Sequence, residues 1–289
     1  GLLAVAQSLP AVLIASAATG FAGALFNPAV RAYLAADSGE RRVAAFTVFN
    51  VFYQAGILAG PLVGLALMAL DFRVTAGMAA AVFAVLTIAQ LFALPQDHAD
   101  HGAAERVSFL HDWRTVLANR PFLLFAVSMV GTYVVTFQLY LALPLHAGVL
   151  APHHESAIVA AVFAVSGLVA IGGQMRITSW FTARYGRVQS LTIGVLVLAA
   201  AFVPLIVVPD GRWGQPAAVA ALLLTAALLA VGSAAVYPFE MDTVVSLAGD
   251  RLVATYYGFY NTIVGVGILV GNLATGALME TAYDAGRPE

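Results

Sequence analysis

Long apolar stretches make up most of this chain of 289 residues and limit what it can fold into. A helix needs about 20 apolar residues to cross the hydrocarbon core of a bilayer. Wherever charges or Pro/Gly clusters interrupt the sequence, one such stretch ends and another begins, and residues 1–9 look like the remainder of an earlier one. We predict eight membrane spans, at 11–36, 43–69, 74–94, 121–145, 156–176, 188–208, 216–247 and 254–280.

The composition supports an all-α integral membrane protein whose surroundings are the lipid bilayer. Hydrophobic residues make up 61% of the chain and charged residues only 10%, whereas soluble domains carry roughly 25% charged residues. The net charge of −2 argues against a basic surface that would bind nucleic acid. The absence of cysteine removes disulfides and thiolate sites. Because the chain opens on Gly1 inside an apolar run, we expect it to be a fragment.

The placement of the arginines predicts which helix ends face the cytoplasm. Short cytoplasmic loops are enriched in Lys and Arg, and alternate loops must lie on the same side. One set of loops carries nine arginines, the other set carries three, and Arg31 lies inside a span. We therefore place the nine-arginine side in the cytoplasm of an inner (plasma) membrane protein. The polar stretch 96–120 belongs to that side and is predicted to be a cytoplasmic linker.

A repeat relates two of the predicted spans at an offset of 211 residues. Residues 50–68 meet identical residues at nine of nineteen positions in 261–279, including Asn50 at Asn261. A six-helix unit used twice in the same orientation implies twelve helices in two pseudo-symmetric halves. The chain would then hold eight of the twelve helices. Residues 1–95 are the end of the N-terminal half, with helices 4–6 and the remainder of helix 3. Residues 96–120 are the linker, and residues 121–289 are the C-terminal half without helix 12.

The stretch GILAGPLVG and the segment WFTARYGRV resemble two motifs of the major facilitator superfamily. The first matches the antiporter motif of the family's fifth helix, and the second its loop motif Asp-Arg-x-Gly-Arg, with Ala183 where the acid is usual. The stretch ASAATGFAG lacks the arginine that normally begins the family's fourth-helix motif. The resemblance extends from the family's helix 4 to its helix 11. The matching residues are Gly56, Gly60, Pro61 and Gly64 in the first motif and Arg184, Gly186 and Arg187 in the second.

Among the branches of that family, GTYVVTFQLYLALPL and ERRVAAFTVFN look most like drug:proton antiporters. The resemblance implies a monomeric secondary transporter that exports small amphipathic or drug-like compounds, driven by the proton gradient without a cofactor. Uptake of a small metabolite, facilitated or proton-coupled, is an alternative, as is a truncated membrane protein that does not transport. An enzyme is not expected, since the sequence has no lysine, no phosphate-binding loop and no nucleophile elbow. The histidines of the linker do not form a metal-binding pattern.

Three charged residues lie well inside predicted spans, where an ionisable group indicates a functional site. They are Arg31, Glu240 and Asp242, and the offset of 211 maps the first onto the third. One interpretation is a charge lock, a set of ion pairs that holds the cytoplasmic helix ends together, formed by Arg31 and Asp242 with Arg184 and Arg187. The other is contact with a coupling ion or a substrate.

Glu240 is the candidate for proton coupling. It follows Pro238, whose ring frees a backbone carbonyl one turn earlier, and we expect a local kink there that could admit water. A carboxyl group in such a place can take up and release a proton during a transport cycle.

Polar and aromatic residues on shared helix faces are candidates for the wall of a substrate cavity. Hydrogen bonding between helices and ordinary packing are the alternatives for them. The glycine row that includes Gly60 is expected to pack against a neighbouring helix, and Tyr256, Tyr257 and Tyr260 are expected to belong to the interfacial belt. The cavity candidates are Asn50, Gln54, Tyr133, Phe137, Gln138, Tyr140 and Asn261.

The topology can be tested by labelling. A cysteine at His153 of the full-length protein should react with an impermeant thiol reagent added outside, whereas a cysteine at Arg184 should not, because the arginine-rich loops face the cytoplasm. The opposite labelling pattern in intact cells would contradict the assignment.

Overall fold

The computed structural model describes residues 8–68, 72–93, 109–209, 213–249 and 252–284. All the regular structure in these ranges is helical, as predicted, and Gly39–Arg41 forms a short 3₁₀ turn. The α-helices are α1 (Leu9–Ser38), α2 (Arg42–Met68), α3 (Phe72–Ala93), α4 (Phe109–Ala118), α5 (Arg120–Phe137), α6 (Ala142–Leu150), α7 (Glu155–Arg184), α8 (Arg187–Ala200), α9 (Val203–Val207), α10 (Gln215–Ala248) and α11 (Val253–Asp284).

The predicted spans coincide with these helices. Among the described residues, seven stretches are long and apolar enough to cross a membrane. The first, Leu9–Gly60, has 52 residues and covers the predicted span 11–36 and most of the predicted span 43–69. The chain is therefore a multi-pass membrane protein. Part of the predicted linker lies outside the described residues, and its last part contains α4.

Two predicted spans are each broken into two helices, and a proline accounts for both breaks. Pro144 is the third residue of α6, the helix after the first break. Pro204 is the second residue of α9, the helix after the second break. A proline has no N–H, and its ring clashes with the carbonyl four residues earlier, so the helix cannot continue through that point. In the first break, the Leu143 N–H instead donates to the Gln138 carbonyl at 3.0 Å.

The chain forms two compact units, residues 1–27 with 59–114, and residues 28–58 with 115–289. In the first unit, α3 exposes apolar side chains such as Phe83 and Leu91, as a helix facing lipid does. In the second unit, α10 packs against α7 and α8, and α11 packs against α5. The division of the sequence into 1–95, 96–120 and 121–289 stays a prediction.

Reciprocal glycine contacts bring α8 and α10 close together. A Cβ added at Gly194 would lie 2.6 Å from Cγ2 of Val236, and one added at Gly232 would lie 2.7 Å from Cγ of Leu198. Because lipid does not drive helices together, close backbone approach of this kind supplies the packing energy in membranes. These contacts hold α10 in the middle of the second unit.

The glycine row of α11 packs on α5 in the same way. A Cβ at Gly271 would lie 2.6 Å from Cγ1 of Val134. At its repeat counterpart, Gly60, and at Gly56, no atom of the described residues lies within 4 Å of an added Cβ, so the packing expected there is not seen. Pro61 and Gly64 lie in α2, but the structure does not describe their surroundings.

The substitution Gly271→Leu tests this packing. It should force α11 away from α5 and lower stability by about 1–3 kcal/mol, the usual cost of overpacking. Gly265→Leu is the matched control, because nothing described lies within 4 Å of a Cβ at that position of the same helix. The melting temperature in detergent should fall only for Gly271→Leu, and equal melting temperatures would show that the close contact is not required.

Candidate functional site

A cavity of about 400 Å³ lies inside the second unit, bounded by α1, α2, α5, α7, α8 and α10. Most of the surface of its wall is apolar, as is typical of ligand sites, and polar side chains interrupt this apolar surface. Five of the predicted cavity residues line it. The polar and aromatic lining consists of Arg31, Asn50, Tyr53, Gln54, Thr132, Tyr133, Thr136, Phe137, Tyr140, Ser166, Ser233, Tyr237 and Glu240.

Glu240 is the buried acidic group of this wall, with 2% of its surface exposed. Tyr133 donates its hydroxyl to Oε1 of Glu240 at 2.7 Å, and Tyr260 donates to the same oxygen. Neither of these hydrogen bonds uses Oε2. Charge-assisted hydrogen bonds of this kind offset part of the cost of keeping a carboxylate away from water.

Arg31 is the buried basic group of the same wall, with 9% of its surface exposed. Its Nη1 donates to Oδ1 of Asn261 at 2.9 Å, and its guanidinium carbon lies 5.9 Å from the ring centre of Tyr237 and 5.8 Å from that of Tyr257. These rings stabilise the cation through their quadrupoles. Its Nε has no hydrogen-bond acceptor in the described part of the chain.

The two charges share a cavity but do not pair. Within the described ranges no ion pair joins Arg31 to Glu240, since the first is held by an amide and aromatic rings and the second by tyrosine hydroxyls. The wall thus carries one positive and one negative group, each with bonding capacity that the protein does not use.

A buried amide, Gln174, satisfies the carbonyl that Pro238 frees in α10. Its Nε2 donates to the carbonyl oxygen of Ala234 at 2.9 Å, where a residue other than proline at 238 would have donated. Its Oε1 accepts from Nδ2 of Asn50 at 2.7 Å. A protein side chain therefore occupies the place where we expected water to enter, and the network joins α2, α7 and α10.

Asp242 forms ion pairs with Arg187, as proposed for the charge lock, and with Arg42, and we refer to these three residues as the lock. Nη1 of Arg187 lies 3.0 Å from Oδ2 of Asp242, and Nε of Arg42 lies 3.5 Å from its Oδ1. Arg184 instead stacks over the ring of Trp180 at 5.1 Å, and Arg31 lies at the cavity, so the expectation that these two belong to the lock is corrected. We refer to the end of the second unit that carries this lock as the arginine-rich end.

Two predicted cavity residues have other roles. Gln138 follows the last residue of α5, in the turn that Pro144 imposes, and its Nε2 donates to the carbonyl of Val134 at 2.8 Å and contacts Oδ1 of Asn272 at 3.3 Å. Asn261 holds Arg31 from behind the cavity wall. The side chain of Gln138 therefore turns toward α11 and not into the cavity.

The three tyrosines expected in the interfacial belt are buried, which corrects that expectation. Tyr260 holds Glu240, the hydroxyl of Tyr257 donates to the carbonyl of Met241 at 2.8 Å, and Tyr256 accepts from Asn119 at 2.9 Å. The face of α11 that carries them packs against α5 and α10, so their hydroxyls find partners inside the protein. No local sequence pattern distinguishes such tyrosines from interfacial ones.

A larger cavity, of about 920 Å³, lies between α6, α9 and α11. Its lining includes His146 and Glu280. Neither residue belongs to the buried polar set of the core, so we take the smaller cavity, with its two buried charges, as the candidate site.

Comparison with known proteins relates the chain to membrane transporters. The model of the Major Facilitator Superfamily matches residues 1–272. An uncharacterized MFS-type transporter of Mycobacterium tuberculosis is 64% identical over 282 residues, which cover 97% of this chain and 67% of the relative. The multidrug resistance protein MdtH of Cronobacter sakazakii is 25% identical over 286 residues, covering 99% of this chain and 67% of its own length. No solved structure gives a significant match.

The composition of the charge lock can be tested with spin labels at Glu40 and Gln189, two exposed positions at the arginine-rich end of the second unit. Asp242→Asn should lengthen the distance between the labels, because it removes the partner of both Arg42 and Arg187. Arg184→Gln is the control and should leave the distance unchanged, since Arg184 stacks on Trp180. Equal effects of the two substitutions in double electron–electron resonance would contradict the observed pairing.

Proposed function

We propose that this chain, which belongs to the Major Facilitator Superfamily, serves in the export of small amphipathic compounds in exchange for protons. The family and the transporter-named relatives make it a membrane transporter and not an enzyme. The proposal of proton exchange rests on one observation: Glu240 is buried and its carboxylate lies in the wall of the cavity.

Exchange follows if a proton and a substrate compete for Glu240. A positively charged group of a substrate would bind the ionised carboxylate, whereas a proton on the carboxylate would remove the charge that attracts it. A carboxylate that serves one of the two at a time couples their movements in opposite directions. The proton gradient then supplies the energy, and no cofactor is needed.

The geometry links the state of Glu240 to the rest of the cavity through Tyr133. This tyrosine lines the cavity and also donates to Oε1, whereas Tyr260 donates from behind the wall. A substrate that contacts Tyr133 therefore acts on a hydrogen bond of the proton-binding group. This contact gives a direct route from substrate occupancy to the protonation state of Glu240.

The lock supports alternating access. Asp242, Arg187 and Arg42 join α10, α8 and α2 at the arginine-rich end, and Asn50 with Gln174 joins α2 to α7 beside the cavity. Opening that end requires these bonds to break. Partly exposed ion pairs are each worth about 0–1 kcal/mol, so such a lock can open during a cycle. We propose that the chain lies in the plasma membrane and that this end faces the cytoplasm, as the arginine distribution indicates.

The aromatic lining supports amphipathic substrates. Tyr133, Phe137, Tyr140 and Tyr237 all lie in the cavity wall and offer large apolar area together with ring faces. The MdtH relatives are named as multidrug resistance proteins, which agrees with this class of compound.

Arg31 favours a second candidate function, the uptake of a small anionic metabolite together with a proton. If Glu240 takes up a proton, the positive charge of Arg31 stands uncompensated in the wall and attracts an anion. Proton and anion would then bind together and move in the same direction. The dependence of flux on the direction of the pH gradient separates this candidate from exchange.

The experiment is transport by the full-length protein in proteoliposomes with an imposed pH gradient. A panel of fluorescent amphipathic cations, anions and zwitterions identifies a transported compound. Glu240→Gln should abolish uphill transport of that compound and leave its binding measurable, because the amide keeps the shape of the side chain and cannot titrate.

Asp242→Asn is the matched control, since it neutralises a carboxylate of the same helix that lies in the lock. It should shift the balance between conformations and keep the coupling to protons. Uphill transport by Glu240→Gln with an unchanged pH dependence would show that the proton site lies elsewhere.

A further inference from the structure

We infer that the cavity selects amphoteric compounds, which carry a carboxylate and a protonated amine on an aromatic or apolar body. The carboxylate would bind Arg31 and the ammonium group Glu240. This inference rests on the proposed function and specifies its substrate class.

Arg31 has the properties of an anion subsite. Its side chain is nine-tenths buried, lines the cavity and is fixed by Asn261 through Nη1 alone. A guanidinium has five N–H donors, and here Nε has no acceptor among the described residues. The rings of Tyr237 and Tyr257 stabilise the positive charge, but a ring face does not take the place of an in-plane acceptor for Nε. A carboxylate is the group whose geometry matches such a fork.

Glu240 supplies the opposite subsite. Both hydrogen bonds from the protein, those of Tyr133 and Tyr260, go to Oε1, which leaves the hydrogen-bonding capacity of Oε2 to another donor. An ammonium group has three N–H donors and a full charge, so it can use that oxygen. The proton that drives exchange would compete with this group, and Arg31 would hold the acidic end of the substrate throughout.

The charge count of the wall decides between classes of compound. A substrate with only a cation would leave Arg31 without an anion in the cavity wall, and one with only an anion would leave the ionised form of Glu240 without a cation. An unpaired buried charge is costly, so either class binds less tightly than a compound that pairs both. The volume of about 400 Å³ and the rings of Phe137 and Tyr140 provide for an apolar body of small size.

Three fluorescent probes that share a dansyl group on an alkyl chain and carry different charged groups test the inference. They are Nε-dansyl-lysine, which is zwitterionic, its methyl ester, which is cationic, and dansyl-aminohexanoate, which is anionic. Binding to the purified full-length protein in detergent is measured by dansyl fluorescence and by isothermal titration calorimetry.

We expect the zwitterion to bind most tightly. Arg31→Gln should weaken its binding about tenfold and leave binding of the cationic ester unchanged or stronger, since the ester has no carboxylate to lose. Unimpaired binding of the ester also shows that the variant is folded. Arg31→Lys, which keeps the charge and loses the planar fork, should retain part of the preference.

Binding of the ester as tight as that of the zwitterion, or binding of the zwitterion that Arg31→Gln does not weaken, would overturn the inference. So would tightest binding of the anionic probe, or binding of none of the three. Failure of the proposed function is a separate result, because it appears as proton-coupled flux that survives Glu240→Gln, whatever the order of the three affinities.

Discussion

The burial of two opposite charges inside a lipid-exposed helix bundle is the constraint on which the second unit depends. Glu240 and Arg31 face one cavity, and no ion pair joins the two in the described part of the chain. Tyr133 and Tyr260 stabilise the carboxylate by hydrogen bonds, and Asn261 with two tyrosine rings stabilises the guanidinium. Because all of these partners except Tyr237 of α10 come from α5 and α11, the charges and the packing of α11 on α5 depend on one another.

The packing of the helices follows from what lipid does not provide. Apolar side chains gain nothing by leaving lipid for another helix, so close contact and polar bonds must hold the bundle together. Glycines let α8 approach α10 and let α11 approach α5. Gln174 closes the gap in the hydrogen bonding of α10 at Pro238 and at the same time binds Asn50 of α2. Gln174 therefore both satisfies the free backbone carbonyl of α10 and connects helices of the two predicted halves.

The sequence predicted the helices because their signal is local: about 20 apolar residues bounded by charges define a span wherever they occur. It also singled out Arg31, Glu240 and Asp242, since a charge in an apolar run is conspicuous in one dimension. The partners of these charges depend on contacts between residues distant in the sequence. Tyr260 and Gln174 are ordinary residues of apolar spans, and only the packing of α11 and α7 brings them to Glu240 and to the carbonyl of Ala234. Arg42 joins Asp242 because α2 begins beside α10, which no motif indicates.

The central claim is that substrate binding changes the protonation of Glu240, and proton release on binding measures this directly. Purified full-length protein in a weakly buffered detergent solution with a pH indicator is mixed with a compound that it transports. Linkage requires protons to leave the protein if substrate and proton compete for one group. The account predicts release of about one proton per protein from the wild type and none from Glu240→Gln. Equal release from both proteins, or no release from the wild type, would contradict it.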